Sequence, residues 1–97
     1  MLTYIVTANW TDQGIRAVKD FPQRVKAARE LAKRLGVELK HVFMTSGECD
    51  LVAILETEKG DNVARFMLAL GGRGNLRTRT MRAWTETEAA KLIADLP

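Results

Sequence analysis

The chain holds one cysteine, one histidine and two prolines in 97 residues, and only 6% of it is aromatic. A lone Cys49 cannot form an internal disulfide, and with His41 it does not supply the paired Cys/His spacing of a structural zinc site. No metal and no cofactor is expected. No apolar run reaches the ~18 residues that cross a bilayer, and "MLTYIVTANW" has neither a basic n-region nor a small-residue cleavage site. A cytoplasmic protein with no membrane contact is therefore expected. Neither sign of charge dominates: 15 Lys+Arg against 12 Asp+Glu leave +3, which permits an acidic partner without implying one.

What is present is the composition of a globular chain, 46% hydrophobic and 28% charged. Residues 1–97 are expected to form one domain, long enough to bury about two-thirds of the surface of the unfolded chain. "LTYIVTAN", Leu2 to Asn9, is β-branched and alternating, with Tyr4, Val6, Ala8 and Trp10 on one face and Thr3, Ile5, Thr7 and Asn9 on the other. "TDQGIRAVKDF" follows, with Asp12 and Gly14 as turn formers. Pro22 suits the first turn of a helix carrying Val25, Ala28, Leu31, Ala32 and Leu35, and Gly36 suits its left-handed C-cap. Seven basic residues between Arg16 and Arg34 fall largely on the wet side.

"VELKHVFMT", Val37 to Thr45, alternates and then turns apolar, as a half-exposed strand does. "LVAILE", Leu51 to Glu56, is apolar on both faces and predicts a central strand. Gly60, with Asp61 or Asn62 as cap, opens a second helix carrying Val63, Phe66, Met67 and Leu70 and ending at Gly71-Gly72. "NLRTRTMRAW" predicts a charged edge strand. Thr85 to Glu88 forms a capping box for a last helix carrying Ala89, Leu92, Ile93 and Leu96. The order βαββαβ plus a C-terminal helix is α+β and ferredoxin-like, an antiparallel four-stranded sheet with helices on one face only. The other face needs a ligand, a nucleic acid or a second subunit.

Three blocks, "YIVTANWTDQGIRAVKD", "GECDLVAILE" and "ALGGRGNLRTRTMRAWTETE", resemble the bacterial GYD-domain family across nearly the whole chain. The resemblance implies a dimeric α+β barrel, in which two such sheets close through their uncovered faces. It also implies a motif at Gly47, Cys49 and Asp50, with Cys49 standing where the family has tyrosine. The wider superfamily includes cofactor-free monooxygenases, isomerases, haem-handling proteins and stress-induced proteins, so the fold selects no reaction.

The residues themselves point to few sites. "SGECD" reads first as a turn, Gly47 supplying a positive φ and Asp50 a local side-chain bond. Cys49 has no neighbouring cation to favour its thiolate, and Glu48 and Asp50 oppose it. His41, the chain's only imidazole, is the one candidate for a catalytic base or haem ligand, although no carboxylate is placed by sequence to orient it. Tyr4, Thr7, Asn9, His41 and Thr45 offer a mixed surface for a small, mostly apolar organic molecule. Trp10 and Trp84 are expected to cover core edges. Arg73, Arg77, Arg79 and Arg82 cannot share one flat patch, because Arg77 and Arg79 lie on a side that Arg82 does not.

The leading expectation is thus a homodimer or higher oligomer binding a small organic molecule, with oxygenase or isomerase chemistry left open. A structural or regulatory assembly subunit without ligand is the alternative. RNA binding is disfavoured because "CDLVAILE" lacks the basic, aromatic signature that an RRM carries on its third strand.

Overall fold

A computed structural model describes residues 1–97. The elements run β1 (Leu2–Trp10), α1 (Asp12–Arg16), a 3₁₀ turn (Val18–Asp20), α2 (Phe21–Arg34), β2 (Val37–Met44), β3 (Leu51–Thr57), α3 (Gly60–Gly72), β4 (Leu76–Ala83) and α4 (Glu86–Ala94). The four strands form one antiparallel sheet in the order β2-β3-β1-β4, so β3, predicted to be central, is central beside β1, and β4 is an edge as predicted. This is the α+β ferredoxin-like fold.

The core lies between the sheet and one layer of helices. Val6, Leu55 and Val37 from the strands meet Leu31 and Ala32 of α2 and Val63 and Phe66 of α3. The two-residue period of β1 assigns its faces as its sequence predicts: Val6 and Ala8 are buried towards the helices, while Ile5 pairs with Ile54 and Thr7 with Val52 on the side that carries no helix. Gly36 has φ +80 and closes α2, and Pro22 sits in its first turn.

Three local expectations are corrected. "DQGIR" is a short helix rather than a turn. Thr11 caps it by accepting from the Gly14 N–H at 3.0 Å, and it is held against the α3–β4 loop by Thr11 Oγ1 donating to Gly74 O at 2.6 Å. Gly14 is required there, since a Cβ would collide with the backbone carbonyl of Asn75. Neither Asp61 nor Asn62 caps α3, which begins earlier, after Lys59. Asn62 instead donates to the buried hydroxyl of Thr57 at 3.1 Å, because that acceptor lies beneath the first turn of the helix.

The third correction concerns β2. Its alternation breaks at a bulge between Leu39 and His41, where Leu39 pairs with Leu55 but His41 pairs with Ile54. Leu39 therefore packs on the core, and His41 and Phe43 turn to the uncovered face. Arg29 of α2 donates to Leu39 O at 2.8 Å beside the bulge.

Candidate functional site

The uncovered face is built from alternate residues of all four strands. Ile5, Thr7 and Asn9 of β1 lie beside Val52, Ile54 and Glu56 of β3, with His41 and Phe43 on the β2 edge and Arg77, Arg79 and Met81 on the β4 edge. Its centre is apolar and its margin charged. Phe43 and Met81 are half-exposed, at 52% and 51%. The His41 ring stacks on Phe43 with centroids 6.0 Å apart. Lys40 lies 3.8 Å from both Glu38 and Glu56, at the screened periphery where such pairs contribute little.

The five residues expected to line a ligand site do not converge. Thr7, Asn9 and His41 share the uncovered face, but Tyr4 points to the helices, its hydroxyl over Gly60. Arg82, on the same side as Tyr4, lies 5.7 Å from the Tyr4 ring and 4.8 Å from the Trp84 ring. Thr45 is in the β2–β3 turn, where its hydroxyl donates to Cys49 O at 2.6 Å and lies 3.6 Å from Cys49 Sγ.

That turn carries the Gly47, Cys49, Asp50 motif. Gly47 has φ +140, and Thr45 N–H to Asp50 O at 2.8 Å closes the loop. The Asp50 carboxylate is not used locally as expected. It accepts from the Trp10 N–H at 2.9 Å and from the Asn9 amide at 3.5 Å, because β1 runs on past the start of β3 and brings its free backbone to Asp50. Asp50 N–H also donates to Ala8 O at 2.9 Å. The motif thus ties a turn to the central strand, which is a structural task.

A cavity of about 110 Å³, not expected from the sequence, lies on the opposite side of the sheet, beneath α2 and α3. The helices close on the sheet at Leu31, Ala32 and Val63, whereas the cavity is lined by the first half of α2 and the second half of α3. Fifteen of its nineteen lining residues are hydrophobic, and its two charged ones are Arg24 and Arg73. A signal was present: Phe21, Arg24, Val25 and Ala28 share one helical face, so Arg24 interrupts the apolar stripe. Trp10, packed edge-on against Phe21 at 6.1 Å, lines the same cavity. No group of three His, Cys, Asp or Glu residues is placed to hold a metal ion, and no helix is long and apolar enough to cross a membrane.

Comparison with known proteins bears on this arrangement. The profile of the GYD domain matches residues 4–93. A Thermus thermophilus protein named "Glutamine synthetase and cystathionine beta-lyase binding protein" is 36% identical over 97 residues, covering 99% of both chains. A crystal structure from Thermus thermophilus superposes with TM-score 0.55 at 23% identity, over 88% of this chain and 95% of that one. A hypothetical protein from Pyrococcus horikoshii gives 0.54 at 21%, over 89% and 93%. MtbAldR gives 0.69 at 13% over 88% of this chain, which spans only 52% of that longer one. Those three share the fold, whereas the profile and the 36% identity run the length of the sequence: the chain belongs to the GYD-domain family.

Proposed function

We propose that the chain is the protomer of a homo-oligomeric binding protein, in which two copies close their uncovered sheet faces into an α+β barrel and the assembly engages other proteins. The apolar centre of that face carries the proposal. Val52, Ile54 and Ile5 run across its middle, with the half-exposed Phe43 and Met81 towards its edges, and burying them against a second copy removes apolar surface from water at about 25 cal/mol per Å². A self-complementary face of this kind suits a two-fold dimer. The name of the Thermus thermophilus relative supports protein partners, and enzymes of the glutamine synthetase and cystathionine beta-lyase kind are the first to test.

A second reading is a small, mostly apolar molecule held between the two sheets. It is favoured by Thr7, Asn9 and His41 all belonging to the closing face.

The test is light scattering on the eluting protein, with Ile54→Lys as the control variant. Wild type is expected as a dimer or a multiple of one, and Ile54→Lys as a monomer with unchanged far-UV circular dichroism. A monomeric wild type at the highest attainable concentration overturns the barrel. Co-elution with purified glutamine synthetase or cystathionine beta-lyase of the same organism tests the second half of the proposal, and failure with both removes it.

A further inference from the structure

The cavity under α2 and α3 is separate from the sheet face that the proposed dimer uses, and its chemistry is more specific. Its walls are the aliphatic side chains of Val6, Leu51, Leu55 and Leu70 and the rings of Phe21 and Phe66. At about 110 Å³ it is somewhat smaller than an apolar cavity of about 150 Å³ that holds benzene, so it accepts a tail of roughly four to six carbons. Charge is asymmetric around it. No carboxylate lines the cavity, while Arg24, half-buried, and Arg73, exposed, both do.

Neither arginine is neutralised, since both ion pairs of the molecule belong to Lys40. Arg24 Nη1 donates to Gly14 O at 3.2 Å, which uses one of five guanidinium donors and steadies the side chain at the α1–α2 corner. Arg73 follows α3 directly, and its carbonyl accepts from the Gln13 amide at 3.1 Å, which fixes the backbone that presents it. Two cations at the edge of an apolar cavity with no anion of their own match a ligand with a negative head and a short hydrocarbon tail.

We infer that this cavity binds a small monocarboxylate with a short, branched aliphatic tail, the tail among Phe21, Leu51 and Leu70 and the carboxylate at Arg24 and Arg73. The site goes beyond the protein-binding role and does not require the sheet dimer.

Trp10 provides the readout, because it lines the cavity and Trp84, the other tryptophan, does not. In a Trp84→Phe background, titration with 4-methylpentanoate is expected to give a saturable change in Trp10 emission, and the uncharged 4-methylpentanamide to bind at least ten-fold more weakly. Arg73→Gln, a surface change, should reduce that preference for the acid, and Ala28→Leu, which fills the cavity, should abolish binding without lowering the melting temperature. Equal affinity for acid and amide overturns the anionic class. No saturable response to either, or binding unchanged in Ala28→Leu, overturns the site. Repeating the titration in Ile54→Lys separates the two proposals, since the acid should still bind if the sheet face fails to dimerise.

Discussion

Thr57 is the buried polar residue on which several elements meet. Its hydroxyl lies 2.8 Å from Gly36 O and 3.2 Å from Lys59 O as donor, and accepts from the Asn62 amide at 3.1 Å, so the end of α2, the β3–α3 connection and the first turn of α3 share one oxygen. Replacing it with the isosteric valine leaves those partners without their bond in a site only 2% exposed. Thr57→Val is expected to cost about 1–3 kcal/mol in chemical denaturation, with Thr57→Ser recovering most of it; a neutral valine variant would show that water takes over the role. The bond to Gly36 is not legible around Thr57 in sequence, where "LETEK" reads as the end of a strand, because that partner lies twenty-one residues away. Asp50 is similar: its residue type marks a turn, but its acceptor serves Trp10, forty residues away.

Among the elements, what is local was legible. The capping box of α4 forms as its spacing predicts, with Thr85 Oγ1 accepting from Glu88 N–H at 3.2 Å and Glu88 accepting from Thr85 N–H at 2.9 Å. That backbone hydrogen bond is the main reason the Glu88 carboxyl titrates below its ordinary value. A lowered folded-state pKa means the contribution is complete above the ordinary glutamate pKa and is lost as pH falls through the lowered one. Helix α4 has no buried residue, so the loss should show as fraying of residues 86–94, read from amide chemical shifts, with the melting temperature unmoved. Thr85→Ala should fray it at neutral pH by about 1 kcal/mol of local helix stability; a large drop in global stability would instead mean that α4 packs on another copy. The helix at α1 and the bulge in β2 were not legible, because the first is held by Gly74 from sixty-three residues away and the second by pairing with β3.

The whole molecule exposes more surface than a monomer of its mass needs. A compact chain of 10.8 kDa presents about 5,500 Å², whereas this one presents 6824 Å². The excess, roughly 1,300 Å², exceeds the ~800 Å² that each partner contributes to an ordinary interface. Its radius of gyration, 14.6 Å, is likewise above the ~12.5 Å expected for 97 residues. If that surface closes on a second copy, folding and association are linked, and the melting temperature should rise with protein concentration across a hundred-fold calorimetric series. A midpoint independent of concentration, with a monomer by light scattering, would leave the surface to other proteins. The central place of β3, the edge place of β4, the faces of β1 and the helix caps at Gly36 and Thr85 could be read from the chain alone, because side-chain periodicity and capping act within a few residues. Folding in three dimensions was needed to show that His41 faces away from Leu39 and that Arg24 and Arg73 meet one apolar cavity. Those facts depend on strand register and on how two helices part over a sheet, and both are set by contacts between residues far apart in the chain.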